Sequence, residues 1–200
     1  MNFTNIYSDI YKKIIREKDK SYYNYNPNLN LISKDKRPDS NFQFIIKKYT
    51  KDYSEIINKY LRESGSGNYS DEERKKIESF IYCLHSLLQL RQGYYVENDI
   101  IVYKGVNFPI PENWKKDFTF LIGEFVSTTL NKNIAKLNSK GKILSIQIKN
   151  NGANGQVFYC RNIQSVSYYP MEQEILITAF SKFKYIREDD DMIYLECLGY

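Results

Sequence analysis

Apolar residues recur at helical spacing through the first part of the chain. Phe42, Ile45, Ile46, Tyr49, Tyr53, Ile56, Ile57, Tyr60 and Leu61 fall on one stripe. Residues 42–63 therefore predict one long helix or two that abut. Gly65-Ser66-Gly67-Asn68 ends this segment. Ser70-Asp71-Glu72-Glu73 then has the form of a capping box: the serine hydroxyl takes an orphan amide, and the glutamate three residues on reaches back. Ile77, Phe80, Ile81, Leu84, Leu87 and Leu88 give the next helix its buried face, and Gly93 is its predicted stop. Upstream, Met1–Lys20 is a polar amphipathic stretch with Ile6, Ile10 and Ile14 on one side, and residues 18–41 predict a loop or linker.

Near residue 98 the period changes to two. Ile100–Tyr103, Glu124–Thr128, Lys142–Lys149, Gln156–Cys160, Glu174–Phe180, Lys182–Arg187 and Met192–Leu198 are short β-rich runs between turn residues. Leu144, Ile146 and Ile148 alternate with Ser145, Gln147 and Lys149, the clearest half-buried strand. Asn150-Asn151-Gly152 and Asn154-Gly155 predict a turn or loop after it, and Glu188–Asp191 a turn between two late strands. A helical first half and a sheet-rich second half predict an α+β fold. With 200 residues, one domain is expected.

Charge narrows the function classes. The net charge is +5, with 17 basic against 14 acidic residues in 1–100 and 12 against 10 in 101–200. No basic stripe stands out, so neither a nucleic acid nor a membrane surface is an expected partner. No apolar run approaches membrane-spanning length. Three widely spaced cysteines, Cys83, Cys160 and Cys197, do not form a disulfide framework, and no metal-ligand spacing joins them to His85. No metal is expected, and His85, inside the apolar run Phe80–Leu90, predicts a packed structural role. Met1–Lys20 has no signal-peptide pattern, so the expected place of action is a reducing cytosol, the cell's own or a host's. Of the 19 tyrosines, most follow from compositional bias, although tyrosine also offers stacking surface for ligands.

Three elements carry chemistry. The first is Tyr169-Pro170-Met171-Glu172-Gln173-Glu174-Ile175-Leu176-Ile177. In an extended chain Glu172 and Glu174 would share a face roughly 6–7 Å apart, and their mutual repulsion would raise one pKa. One carboxylate can then face a developing cation while the other takes a proton. An isolated Glu-x-Glu is most often two surface glutamates at a strand end. The second element is Phe125-Val126-Ser127-Thr128-Thr129-Leu130, followed by Asn131-Lys132-Asn133. Three hydroxyls at a strand end and an Asn-capped helix can fix a carboxylate and a sugar hydroxyl. The third is Ile100-Ile101-Val102-Tyr103-Lys104-Gly105. A cation at a strand end can meet phosphate, and glycine lets a ligand approach the backbone.

In this order the three elements resemble the arginine–serine–glutamate class of mono-ADP-ribosyltransferases. The resemblance covers most of residues 42–187, including Tyr49-Thr50, Tyr53, Ile57-Asn58 and Leu61-Arg62 upstream and Ser181-Lys182-Phe183 downstream. It implies two small β-sheets packed at a steep angle with NAD in the cleft between them, and residues 42–200 as a catalytic domain. Residues 1–41, an expected N-terminal helix and linker of unassigned role, lie outside the resemblance, and a monomer is expected. The partners it implies are NAD, as cosubstrate, and a protein acceptor bearing arginine. Glu174 would hydrogen-bond the 2′-hydroxyl of the nicotinamide ribose and stabilise the oxocarbenium that forms as nicotinamide leaves. Ser127 would hold Glu174, and Thr128 and Thr129 would shape the ribose pocket. Glu172 would orient and deprotonate the incoming guanidinium, whose pKa makes that step hard in water. Lys104 and Gly105 would meet the dinucleotide, and Tyr168 and Tyr169 would face the acceptor. A small catalytic domain of this kind suits an effector or toxin that modifies host proteins.

One position departs from the family pattern. Lys104 stands where the family carries arginine. A lysine keeps the charge and loses the planar fork that grips phosphate through two bonds, a loss of about 1–3 kcal/mol in NAD binding if the fork made a charge-assisted bond. Two other functions stay open on the sequence: an NAD glycohydrolase, in which water replaces the acceptor, and a catalytically silent module that holds NAD or a protein. Retention of Ser127, Glu172 and Glu174 favours the transferase.

Overall fold

The computed structural model describes residues 38–63, 65–90, 96, 99–107, 114–149 and 159–199. The expectations for residues 1–37, for Gly93, for the turn residues 150–155 and for most of the strand at 156–160 lie outside the described residues. Two compact units divide the chain: Met1–Leu90 with Val166–Tyr168, and Arg91–Ser165 with Tyr169–Tyr200.

The first unit is helical. Helix α1 (Pro38–Lys48) runs into a π-helical turn, Tyr49–Tyr53, and then α2 (Ser54–Arg62), so the long apolar stripe is two abutting helices. The π turn adds a residue and shifts the phase of the stripe. Ile45, Ile46, Tyr49, Ile57, Tyr60 and Leu61 are buried, whereas Phe44, Tyr53 and Ile56 stay largely exposed. Gly65, at φ 68°, closes the segment by donating its amide to Tyr60 O at 3.0 Å. Helix α3 (Asp71–Leu90) then begins with the capping box. Ser70 N donates to Glu73 Oε2 at 2.8 Å, and Glu73 N donates to Ser70 Oγ at 3.2 Å. Its buried face includes Ile81, Leu84 and Leu88, each contributing roughly 1.5–3 kcal/mol of burial. Buried Glu78 accepts a 2.6 Å hydrogen bond from the Tyr60 hydroxyl. His85 is also buried here, and burial pushes its pKa down to about 4, so it is neutral at physiological pH.

The second unit is built on strands. In chain order they are β1 (Ile100–Gly105), β2 (Thr119–Ile122), β3 (Val126–Thr129), β4 (Ile143–Ile148), β5 (Cys160–Asn162), β6 (Glu174–Ile177), β7 (Ser181–Glu188) and β8 (Met192–Gly199), with helix α4 (Lys132–Leu137) after β3. Their order across the sheet is β2-β7-β8-β4-β1-β3-β6-β5. Among the described residues only β4 and β8 pair in parallel. The α+β class read from the sequence is the class observed. The two sheets implied by the resemblance are two parts of one hydrogen-bonded order. Strand β1 pairs with β4 along all six residues but meets β3 at one pair, Tyr103↔Thr129. Five strands thus lie on one side of a narrow junction and three on the other.

Val102, Leu144, Ile146, Ile148, Ile175, Phe183 and Leu195 are among the core residues. Cys160 and Cys197 are buried free thiols in the same core, and Cys83 is buried in the helical unit. Strand β2 was not read from the sequence. Phe118–Ile122 mixes apolar residues without alternation, and as an edge strand β2 pairs only with β7. Trp114 stacks on Phe120 of this strand with ring centroids 4.2 Å apart. The turn at Glu188–Asp191 joins β7 to β8: Asp189 Oδ1 accepts from Asp191 N at 3.1 Å and from Met192 N at 2.8 Å. No helix among the described residues is long and apolar enough to cross a membrane.

Candidate active site

The end of β1, the end of β3 and the start of β6 converge at the narrow junction. Lys104 Nζ donates to Ser127 O at 3.3 Å, linking β1 to β3 beside their single paired position. Gly105 follows, and a Cβ there would stand 2.7 Å from Ala135 O and from Asn138 O. The missing side chain thus lets β1 pack against the C-terminal end of α4, a need internal to the chain and distinct from the ligand approach anticipated. Asn107 extends this seam, its Nδ2 donating to Asn138 O at 3.0 Å and its Oδ1 accepting from Lys140 N at 2.9 Å.

Strand β3 ends in the three hydroxyls and passes into the Asn-capped helix as predicted. Asn131 Oδ1 accepts from Asn133 N at 2.9 Å and so caps α4. Thr128 Oγ1 donates to Ile175 O, and Thr129 Oγ1 donates to Glu172 O, both at 2.6 Å. Thr129 Oγ1 also accepts from Asn131 N at 3.0 Å. Both threonine hydroxyls are therefore engaged with the main chain that carries the glutamates.

The two glutamates meet by a route that periodicity did not reveal. Pro170–Glu172 forms a 3₁₀ turn, Gln173 takes a left-handed conformation (φ 51°), and β6 begins only at Glu174. The extended i, i+2 geometry expected for Glu172 and Glu174 is thus replaced by a turn and a reversal. Leu130 N, donating to Gln173 O at 3.2 Å, holds the left-handed residue against the end of β3. The consequence is asymmetric: Glu172 is exposed, and Glu174, opposite Thr129 in the β3–β6 register, is buried.

A cavity of about 190 Å³ is lined by Lys104, Gly105, Ser127, Thr128, Thr129, Glu172 and Glu174. The structure thus gathers seven of the nine residues singled out in the sequence. Tyr103, Asn107, Ile134, Ala135 and Asn138 also line it and were not anticipated. Those from α4 follow a helical spacing only after the helix is in place. Tyr168 and Tyr169 are not among the lining residues. They are 48% and 45% exposed, just ahead of the turn, and Tyr168 belongs with the helical unit. A larger cleft, about 860 Å³, opens in the helical unit among Phe44, Tyr53, Ile56 and Phe80. None of the candidate residues lines it, so its size has no bearing on the chemistry.

Burial pushes the Glu174 carboxyl up to about 7; the charge of Glu172 adds to the rise, while a hydrogen bond from Ser127 and the Lys104 cation oppose it. Desolvation, and not the like-charge pair on which the sequence argument rested, is the principal cause. Among the described residues no group of three or more His, Cys, Asp or Glu is placed to hold a metal ion.

The sequence matches the family described as NAD:arginine ADP-ribosyltransferase over residues 7–198. The chain belongs to this family. The match begins well before residue 42, so the N-terminal stretch lies within it as well. Its members use NAD as a substrate. No curated protein matches the sequence. Among solved structures, the fold is similar to that of Plx2a, an ADP-ribosyltransferase toxin from Paenibacillus larvae (17% identity, 96% of each chain covered, TM-score 0.59). It is similar to the ADP-ribosyltransferase Vis in complex with agmatine (17% identity, 80% of this chain and 75% of that one, TM-score 0.60). It is also similar to the eucaryotic mono-ADP-ribosyltransferase ART2.2 (16% identity, 98% and 84%, TM-score 0.63). At such identities the likeness concerns the fold.

Proposed function

We propose that this chain is an active NAD-dependent mono-ADP-ribosyltransferase whose acceptor is an arginine side chain of another protein, with residues 42–200 as the catalytic domain. The observation that carries the reading is the pairing of a buried carboxyl, Glu174, with an exposed one, Glu172, on one cavity. Nicotinamide leaves with the bonding pair of the C1′–N bond, and positive charge develops on the ribose. Glu174, ionised and shielded from water, stabilises that charge and accepts a hydrogen bond from the 2′-hydroxyl. Ser127 orients the Glu174 carboxylate. A guanidinium nitrogen then bonds to C1′ and gives its proton to Glu172, which lies where an acceptor can reach it. The cavity is smaller than the ~300–1,000 Å³ of sites that enclose drug-sized ligands. It suits the nicotinamide ribose, with the remainder of NAD lying outside and Lys104 supplying a point charge to it. Exposed Tyr168 and Tyr169 suit contact with the acceptor protein.

A second reading, a silent binding module, draws on Lys104, whose ammonium is engaged with Ser127 O. One experiment separates the two. The pure protein is incubated with NAD and agmatine, a small guanidine acceptor, and products are followed by mass spectrometry with Glu174→Gln as control. ADP-ribosyl-agmatine from the wild type alone supports the transferase. Free ADP-ribose without adduct favours a glycohydrolase, and no consumption of NAD favours the silent module.

A further inference from the structure

Asn107 and Asn138 line the cavity beside the residues singled out in the sequence. Asn138 closes α4 at its C-terminal end, its amide donating to Ile134 O at 3.2 Å. Asn107 follows β1, and both polar atoms of its side chain are engaged with the chain after α4. Nδ2 donates to Asn138 O at 3.0 Å, and Oδ1 accepts from Lys140 N at 2.9 Å. Neighbouring bonds extend the seam: Ser139 Oγ accepts from Val106 N at 3.3 Å and donates to Lys142 O at 2.8 Å. Gly105 admits this close approach, since a Cβ there would stand 2.7 Å from Asn138 O. The residue so held differs from its holder. Asn138 is exposed, and no hydrogen bond among the described residues engages its side chain.

A carboxamide both donates and accepts, which matches the ribose hydroxyls and the nicotinamide carboxamide of NAD; the pyrophosphate only accepts. The cavity of about 190 Å³ takes the nicotinamide riboside half at most. We propose that Asn138 binds that half of NAD through its side-chain carboxamide, and that Asn107 is the positioning residue that holds Asn138 at the cavity by its main-chain oxygen. Asn107 acts through Asn138, because its own nitrogen and oxygen are already bonded within the chain. The pair strengthens NAD binding, while the carboxylates at the turn and on β6 serve the chemistry. The proposal rests on the reading of this cavity as the NAD site.

The test measures NAD affinity by calorimetry in the Glu174→Gln background, where turnover is prevented, and steady-state constants for NAD with Glu174 present. Asn138→Ala is expected to raise Kd and KM about fivefold, the scale of one neutral hydrogen bond, and to lower kcat less than twofold. Asn107→Ala should raise both by a similar factor. The double variant should be no weaker than Asn138→Ala alone, since one residue acts through the other. Asn107→Asp keeps an acceptor for Lys140 N and loses the donor to Asn138 O, so it should behave as Asn107→Ala does. Calorimetry with ADP-ribose then locates the contact. Equal weakening of ADP-ribose assigns it to a ribose hydroxyl, and weakening confined to NAD assigns it to the nicotinamide carboxamide. Unchanged NAD affinity in Asn138→Ala would overturn the proposal. Losses that multiply in the double variant would overturn the role of Asn107 and leave it as general structural support. A wild type that binds NAD without consuming it would remove the transferase reading, while the calorimetric comparison would still decide this one. Should Asn107→Ala fail to fold, Asn138→Ala at an exposed position and Asn107→Asp carry the same comparison.

Discussion

Thr129 donates its hydroxyl to the main-chain oxygen of Glu172 at 2.6 Å while Glu174 lies directly across from it in the β3–β6 register. One threonine thus ties together the two carboxyl-bearing positions, one exposed and one buried. In the proposed mechanism this difference in burial separates their roles. A shielded carboxylate acts on developing charge, and a solvent-facing one can meet an incoming acceptor.

Glu172→Gln is therefore expected to separate the two half-reactions. Transfer to agmatine should fall by about 10²–10⁴-fold, the usual range for loss of a general base. Hydrolysis of NAD should continue within a few-fold of wild type. Parallel assays with and without agmatine check this, and an equal loss of both activities would contradict the assignment.

The pH dependence follows from Glu174. Its carboxyl titrates at about 7 in the folded protein because burial disfavours the charge. The proposed mechanism requires the ionised form, so kcat/KM for NAD should rise as pH increases from 5.5 to 8, with a midpoint near 7. Glu174→Gln should remove nearly all activity and, with it, that limb. Initial-rate profiles in constant ionic strength provide the measurement.

The same group links stability to pH. A carboxyl raised from 4.5 in the unfolded chain to about 7 in the folded one binds more protons when folded. Folding stability is therefore unaffected by this group below pH 4.5 and is progressively lost as pH rises towards 7. Beyond that the loss is complete, on the order of 3 kcal/mol. Glu174→Gln should melt at nearly the same temperature as wild type near pH 4 and clearly higher at pH 8. Thermal denaturation at the two pH values tests the sign.

Lys104→Arg should lower the KM for NAD. The guanidinium would offer a fork to phosphate while retaining a donor for Ser127 O, at present bonded to Lys104 Nζ at 3.3 Å. A gain of about tenfold corresponds to ~1.4 kcal/mol. Binding measured by calorimetry with inactive Glu174→Gln and the double variant avoids turnover during titration.

Gly105→Ala should destabilise the protein by about 1–3 kcal/mol, as overpacking against an unyielding backbone does. Its Cβ would stand 2.7 Å from main-chain oxygens of Ala135, in α4, and of Asn138, just past its end, neither of which can swing away as a side chain can. Chemical denaturation would register the loss as a lower midpoint at unchanged slope.

Much of this protein was legible in its residue order because the relevant forces are local. The capping box at Ser70 and Glu73, the Asn131 cap and the alternation through Leu144, Ile146 and Ile148 each arise within a few residues. So did the candidate chemistry, since hydroxyls, carboxylates and the lysine are named by the sequence itself.

What only the tertiary structure decided is how those groups are related. The left-handed Gln173 places Glu172 in a turn, where the strand pattern had suggested an extended pair, because Thr129 and Leu130 from another strand hold that turn. The titration of Glu174 is governed by burial, which is the sum of everything packed around it and appears in no local pattern. Edge strand β2 escaped notice for the same reason, its pairing with β7 being a long-range choice. Residue order determined the elements and the chemical groups because helix and strand periods act over a few neighbours; distance, burial and register were set by contacts between segments far apart in the chain.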